Sequence, residues 1–148
     1  MLLLQTLIKM SGLNNLYPHL LQPDIDLWIR FLALHQAEYE RFDYDVRIGK
    51  GRDVGDIYND KIRKMAIGLS QRRIDVVGYK AKSIEIIEIT LSAGLKCIGQ
   101  METYPILYKE TYNPPLPITT LILTEQIESD IEPILNQRNY KVVVLPKP

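Results

Sequence analysis

Residues 72–91 constrain the fold of this chain most strongly, because they carry the pattern of a β-hairpin. Residues 72–79 and 84–91 are rich in isoleucine and valine, and the turn sequence Lys80-Ala81-Lys82-Ser83 separates them. β-Branched side chains fit the pleated surface of a sheet, so two antiparallel strands are predicted. A lone strand pair is marginal in water, and the rest of the chain must therefore supply further strands and covering helices.

Helical and strand patterns alternate around this hairpin. Helices are predicted where apolar residues recur at three- and four-residue spacing, over residues 1–10, 25–41 with Asp24 as a cap, 95–112 with Pro105 either kinking or restarting the helix, and 128–137. Strands are predicted over residues 42–48, 118–124 and 140–145, the last apolar enough for a sheet interior. Residues 57–69 fit either a helix or an extended run. This order predicts an α/β domain with a mixed central sheet flanked by helices.

The chain has 148 residues, of which 46% are hydrophobic, enough for one domain with its own core. We predict a single domain over residues 24–148, preceded by an apolar docking segment over residues 1–23. The start of that segment lacks a basic region and a cleavage site and is too short to span a bilayer, so neither secretion nor membrane attachment is expected. Cys97 is the only cysteine, which excludes an intrachain disulfide and fits a reducing compartment.

The net charge is zero, but the charge is unevenly distributed. Residues 61–82 contain seven lysines and arginines against one aspartate, whereas residues 125–132 contain four acidic residues. Such asymmetry permits a basic face that binds DNA on an otherwise neutral protein. A solvated sheet edge protected by lysines explains the same pattern.

Two carboxylates lie within the predicted hairpin. Asp75 and Glu88 occupy its two strands, and alternation of side chains along each strand lets them converge near one end of the sheet. Carboxylate oxygens of this kind are ligands that Mg²⁺ or Mn²⁺ accepts, with positions left for water and a phosphate. A metal held there polarises a phosphate and lowers the pKa of its bound water. Gln100 and Tyr104 follow on the predicted helix, four residues apart.

This ordered set resembles the PD-(D/E)xK nuclease superfamily and, through the Gln-x-x-x-Tyr spacing of Gln100 and Tyr104, its RecB-like branch. The resemblance covers residues 24–145 and implies a restriction-endonuclease-like fold. It further implies that Asp75 and Glu88 are catalytic metal ligands for Mg²⁺ or Mn²⁺, and that Gln100 and Tyr104 orient the substrate. In the family an upstream helix often adds an acidic group, and Glu38 or Glu40 is expected in that role, with Glu38 as the third metal ligand.

The chain departs from the family where a lysine is expected. Thr90 occupies that position, and a neutral hydroxyl cannot stabilise charge on a phosphate. Loss of one such electrostatic interaction costs about 10²–10³ in rate. Lys96 lies four residues before Gln100 on the same helix face and can take the place of the missing lysine. If Lys96 does not take that place, the site lacks the positive charge and catalysis is lost.

Two functions follow from this resemblance, and the sequence leaves open whether the protein is an enzyme. The first is a nuclease-fold protein with a degraded active site that serves as a structural or DNA-associated component of a larger assembly. The size and motif style are similar to phage-encoded members, which suggests a portal- or tail-proximal part of a virion, with DNA and assembly proteins as partners. The second is an active Mg²⁺-dependent DNA nuclease. Both place the protein in the bacterial cytoplasm or in a phage particle.

Overall fold

A five-stranded mixed sheet forms the centre of the computed structural model, which describes residues 16–148. The strands follow one another across the sheet in chain order: β1 (Arg41–Ile48), β2 (Arg72–Tyr79), β3 (Ile84–Ala93), β4 (Ile118–Ile127) and β5 (Val142–Val144). The first three strands pair antiparallel, and β4 and β5 continue the sheet in parallel. The predicted α/β class, the mixed sheet and the hairpin are confirmed.

Four helices accompany the sheet within the described part of the chain. They are α1 (Gln22–His35), α2 (Asp60–Ser70), α3 (Leu95–Tyr112) and α4 (Glu132–Gln137), and a 3-10 turn over Gln36–Glu38 follows α1. The ambiguous residues before β2 are therefore helical from Asp60 onward. The helix predicted over residues 1–10 lies outside the described residues. None of the helices found in residues 16–148 has the length and apolarity needed to cross a membrane.

Each face of the sheet is covered by one long helix. Trp28 and Phe31 of α1 are buried against Val76, Ile87 and other residues of the central strands. On the opposite face, a second buried cluster joins α3 to strands β1, β2 and β3 and contains Tyr104, Tyr108, Ile48, Ile74, Val77, Ile84 and Ile86. Burial of apolar area on both faces, worth roughly 25 cal/mol per Å², explains why the central strands are nearly continuous runs of isoleucine, valine and leucine.

Several predicted boundaries and environments were wrong. Asp24 does not cap α1, because the helix already begins at Gln22 with Leu21 at the cap position and Pro23 in the first turn. β5 is an edge strand with half-buried or exposed side chains rather than an interior strand. Helix α4 begins at Glu132 and not at residue 128, and α3 runs through Pro105 as one helix without restarting there.

At one level of the sheet, the even-numbered side chains of both β1 and β2 change from one face to the other, and we call this level the turnover point. Within β1, Phe42 and Tyr44 pack on the α1 side, whereas Val46 packs on the α3 side although it has the same parity. The pairing register passes from Tyr44–Val76 to Val46–Ile74, so Asp45 lies opposite Asp75 at the turnover point. Asp45 has a φ of 52°, a left-handed conformation that an aspartate tolerates better than most residues. The turnover therefore positions Asp75 at an irregular point of its strand.

Candidate active site

Strands β2 and β3 stop pairing where Asp75 and Glu88 meet. The antiparallel register runs through the Val76–Ile87 pair, and the next two residues outward are Asp75 and Glu88. Their carboxylates take the place of backbone partners. The backbone N–H of Asp75 donates to Glu88 Oε1 at 3.2 Å, and the N–H of Ile89 donates to Asp75 Oδ2 at 2.9 Å. Each carboxylate is thus positioned by the backbone of the opposite strand.

Helix α3 completes the support of Glu88. Gln100 Nε2 donates to Glu88 Oε2 at 2.7 Å, so both oxygens of this carboxylate accept a hydrogen bond. Tyr104 lies one turn further along α3 and is buried at the wall of the same cleft. Burial raises the pKa of the Tyr104 phenol, and the neutral hydroxyl is therefore its form at neutral pH. The structure brings together Asp75, Glu88, Gln100 and Tyr104 as predicted from their order along the chain.

The two carboxylates carry an electrostatic penalty. Glu88 is only 3% exposed, and its burial, followed by the charge of Asp75, raises its pKa well above the usual range. Burial also raises the pKa of Asp75. None of the ion pairs that residues 16–148 form includes either carboxylate. A buried glutamate beside a half-buried aspartate, without a cationic partner, suits a divalent cation, which would remove their mutual repulsion.

The donor set fits a metal that keeps part of its water. Residues 16–148 contain no group of three or more histidine, cysteine, aspartate or glutamate side chains arranged to hold an ion. Asp75 and Glu88 would therefore supply two carboxylates, and water or a phosphate would supply the remaining ligands. Mg²⁺ is commonly bound in this way, through one or two carboxylates plus substrate oxygens.

An open polar cleft of about 440 Å³ surrounds the pair. Lys96 and Arg73 contribute positive charge to its walls, and Asp24 and Glu128 contribute negative charge. Lys96 is exposed at the start of α3, and its charge counteracts the raised pKa values of both Asp75 and Glu88. The ammonium group predicted from helical spacing therefore lies on the site side of α3.

Thr90 also lines the cleft, two residues beyond Glu88 on β3. Its hydroxyl donates to the backbone carbonyl of Ser92 at 3.1 Å, a local bond that fixes the side chain within its own strand. A threonine in this arrangement supplies no positive charge to the two carboxylates. The wall position two residues beyond Glu88 is therefore neutral.

The structure does not bring Glu38 or Glu40 to this site. Glu38 accepts from His35 Nδ1 at 2.6 Å and lies 3.6 Å from Lys80, which belongs to the hairpin turn at the other end of β2. The backbone N–H of Glu40 donates to the carbonyl of Tyr79, also at that end. The geometric reason is that residues 36–40 follow the C-terminal end of α1, whereas the N-terminal end of α1 faces the cleft.

Asp24 is the acidic residue that the upstream helix places at the cleft. It lies in the first turn of α1, and its burial raises its pKa. Its negative charge in turn contributes to the raised pKa of Asp75. The sequence carried a signal for this residue, because Asp24 is the acidic residue at the start of the predicted long helix.

His19 also lines the cleft, and unlike Asp24 it had no signal in the sequence. Its Nε2–H donates to the backbone carbonyl of Asp75 at 3.0 Å, across 56 positions of the chain. Within residues 16–148 its buried Nδ1 has no hydrogen-bond partner. The contact depends on how the segment before α1 crosses the sheet, and no local spacing of histidines predicts it.

Comparison with known proteins shows which type of fold this chain has. No protein-family model matches the chain, and no curated protein sequence matches it significantly. A repair endonuclease from Pyrococcus abyssi superposes with a TM-score of 0.51 at 16% identity, over 88% of this chain and 50% of that one. The fold is nuclease-like. An EndoMS–dsDNA2 complex aligns with a TM-score of 0.48 at 14% identity, over 87% of this chain and 47% of that chain. The chain thus spans about half the length of each matched structure.

Proposed function

We propose that this chain is a divalent-metal-dependent DNA nuclease in which Lys96 replaces the lysine of the PD-(D/E)xK motif. The observation that carries the proposal is the convergence of Asp75, Glu88 and Lys96 on one open polar cleft. The nuclease-like fold supports the reaction class, because the carboxylate pair occupies two adjacent central strands of that fold. Fold alone does not establish an activity, so the proposal depends on the site.

Asp75 and Glu88 would hold Mg²⁺ or Mn²⁺. When bound, such an ion would polarise a phosphate and lower the pKa of a coordinated water. The chain's own contribution is to hold both carboxylates in place beforehand. Backbone N–H groups fix one oxygen of each, and Gln100 fixes the second oxygen of Glu88. Such prior organisation lowers the cost of reaching the transition state.

Lys96 supplies the positive charge that Thr90 lacks. It is the second residue of α3, and the first residues of this 18-residue helix, Leu95 and Lys96, line the cleft together with Gly94. A helix N-terminus carries unpaired N–H groups and a partial positive charge that favour phosphate. The ammonium of Lys96 beside that N-terminus would stabilise the negative charge that develops on the phosphate oxygens during attack.

Cleavage assays test this proposal directly. The wild-type protein is incubated with linear double-stranded and single-stranded DNA in Mg²⁺ or Mn²⁺, beside Asp75→Ala and Lys96→Ala. Lys82→Ala is the matched control, because Lys82 is exposed in the hairpin turn at the far end of β2. We expect cleavage by the wild type and Lys82→Ala, none by Asp75→Ala, and a loss of about 10²–10³ for Lys96→Ala. Folded wild-type protein that cuts neither substrate would overturn the proposal.

Thr90 favours a second candidate function. Because the wall position of the family lysine is neutral, the chain can also be a nuclease-fold protein that binds DNA without cutting it, as a component of a larger assembly such as a phage particle. DNA binding that persists in metal chelator, with no cleavage under any metal and no change in Asp75→Ala, is the result that distinguishes this candidate.

A further inference from the structure

Helix α2 presents an apolar stripe to solvent. Ile62, Met65 and Leu69 are 42%, 55% and 70% exposed, and their spacing places them on one face of the helix. Ile57 and Tyr58 precede the helix and are 87% and 45% exposed. Contiguous exposed apolar side chains of this kind mark an interaction site more often than an isolated exposed leucine does.

Helix α2 is bonded to the loop that precedes it. Arg63 binds Asp53 at 2.7 Å and Asp56 at 2.9 Å, both in the loop that precedes the helix. The side chain of Asn59 accepts from the N–H of Ile62 and caps the first turn. These bonds hold α2 to its loop and leave Ile62, Met65 and Leu69 exposed.

The segment that carries the stripe is positively charged. Residues 49–74 contain seven lysines and arginines against three aspartates, on a chain whose net charge is zero. Two of those aspartates are occupied by Arg63, whereas Lys61 and Lys64 are exposed beside the stripe. A second copy of the chain docked by two-fold symmetry would bring the same positive patch against itself, which is unfavourable. The complementary partner is therefore a polyanion that also offers apolar surface.

DNA with unpaired bases has this combination of properties. The bases of an intact duplex are stacked on one another, and their faces become available only when a strand is single or splayed. Exposed base faces stack on aromatic and apolar side chains such as Tyr58, while the phosphates meet lysines such as Lys61 and Lys64.

The helix that carries the stripe is joined to the cleft by the first residues of β2. Helix α2 ends at Ser70, β2 begins at Arg72, and Arg73 already lines the cleft beside Asp75. The charge of Arg72 also acts on Tyr104 in the cleft wall. An 11-residue helix extends about 16 Å, so a strand that leaves the cleft past Arg73 can follow α2 along its length.

We propose that the outer face of α2, together with Ile57 and Tyr58, binds an unpaired DNA strand that continues from the cleft. The inference rests on the proposed function for the identity of the polymer, and it adds which surface binds the strand and which form of DNA is preferred. The preferred form is a single strand or a splayed end.

Binding is measured apart from cleavage, by fluorescence anisotropy of labelled single-stranded, splayed and fully paired DNA in metal chelator. We expect the wild type to bind the single strand and the splayed DNA at least about tenfold more tightly than the duplex. Tyr58→Ala and Met65→Glu should each weaken single-strand binding about tenfold. The double variant Lys61→Gln/Lys64→Gln should lower the slope of log affinity against log salt by about 1.4, because each lysine that no longer neutralises a phosphate lowers it by about 0.7.

Two controls match these changes elsewhere on the surface. Leu34→Glu introduces the same charge at a 67%-exposed leucine near the far end of α1, and Lys82→Gln removes a lysine from the hairpin turn. Both should bind like the wild type. Unchanged circular dichroism and melting temperature show that the α2 variants are folded, which is expected because the replaced side chains are exposed.

The outcomes separate this inference from the proposed nuclease activity. Single-strand binding that depends on Tyr58 and Met65 in a protein that never cuts would support the α2 surface and count against the nuclease. Cleavage by a protein whose α2 variants bind all three DNA forms like the wild type would overturn the α2 surface alone. Sedimentation velocity adds a further test. If Met65→Glu converts an oligomer into a monomer, another copy covers the stripe and the inference is wrong.

Discussion

Asp75 and Glu88 lie opposite each other at the point where their two strands stop pairing, and each carboxylate accepts a hydrogen bond from the other strand's backbone. This reciprocal arrangement holds the pair in position without a cation. It also keeps two acidic groups close together out of water, where ionising both is costly. The pair therefore lowers the free energy of unfolding whenever both groups are charged, and this loss can be measured.

The pH dependence of stability should reveal the penalty at Glu88. Burial and the charge of Asp75 raise the pKa of Glu88 well above its usual value of 4.5, so the folded state retains a proton that the unfolded state has lost. Stability is then fully present below about pH 4.5 and falls as the pH rises toward the pKa of the folded state. Glu88→Gln should abolish this loss and be more stable than the wild type by about 1–3 kcal/mol at about pH 8.

Urea unfolding in metal chelator, repeated between about pH 5 and 8, measures the difference. Glu110→Gln is the control, because Glu110 is exposed on α3, and it should follow the wild type. Adding Mg²⁺ should stabilise the wild type and leave Glu88→Gln almost unchanged. A wild type whose stability rises steadily across this pH range would contradict the assignment of Glu88.

Restoring the motif lysine should rescue a protein that lacks Lys96. Lys96→Ala is expected to lose about 10²–10³ in cleavage rate. Adding Thr90→Lys to that variant should recover at least tenfold of the loss, because Thr90 already lines the cleft two residues beyond Glu88. Thr90→Lys breaks only the bond to the Ser92 carbonyl, at a cost of about 0.5–1.5 kcal/mol. Initial rates on labelled DNA measure the effect, and Thr90→Ser in the same background should give no recovery.

Two glycines in the loop before α2 should differ sharply in their tolerance of alanine. Gly51 and Gly55 both have a positive φ, of 66° and 93°, and both substitutions therefore strain the backbone. A Cβ at Gly51 would also collide with the backbone carbonyl of Ile67, whereas nothing lies within 4 Å of a Cβ at Gly55. Gly55→Ala should cost about 1 kcal/mol and Gly51→Ala about 2–4 kcal/mol.

Thermal and urea unfolding of these two variants provides the measurement. Equal losses would mean that the close approach of Gly51 to α2 does not persist in solution. Separation of Gly51 from α2 would also loosen the helix whose outer face we assign to DNA, so Gly51→Ala should bind single-stranded DNA more weakly than Gly55→Ala.

A buried carboxylate at the other end of the hairpin should depend on one tyrosine hydroxyl. Glu85 is 2% exposed, accepts a hydrogen bond from Tyr39, and lies 3.5 Å from Lys80 and 3.3 Å from Lys141. Tyr39→Phe removes a donor from this buried charge and should cost about 1–3 kcal/mol in urea unfolding. Tyr112→Phe is the matched control. Its hydroxyl donates to the Arg47 carbonyl on an exposed surface, and its loss should cost less than about 1 kcal/mol.

The bounds of helices and strands could be predicted where nearby residues determine them. The bounds of β2 and α3 agree with the prediction, because a turn sequence follows the first and an asparagine with left-handed backbone, Asn113, ends the second. The convergence of Asp75 and Glu88 also followed from local alternation once the hairpin pairing was assumed. Strands β3 and β4 extend further than predicted because their parallel pairing continues to Ala93 and Ile127, which a single strand's composition cannot reveal.

Contacts between distant segments could not be derived in this way. The prediction of Glu38 or Glu40 assumed that the C-terminal end of α1 faces the site. The direction in which α1 crosses the sheet brings its N-terminal end there instead, with Asp24, which was predicted only as a helix cap. His19 reaches Asp75 only because the segment before α1 crosses the same end of β2. The ambiguity of residues 57–69 has a physical cause as well. The apolar stripe of α2 faces solvent, and its pattern is therefore not reinforced by a core.

The turnover at Asp45 affects how readily molecules of this protein aggregate in concentrated solution. β1 forms an outer border of the sheet, where an unpaired backbone can recruit a strand from another molecule and begin aggregation. The left-handed residue in the middle of β1 interrupts the regular row of donors and acceptors that such recruitment requires. The other border, β5, offers only three residues. The same irregularity that positions Asp75 thus makes the sheet a poor template for intermolecular growth.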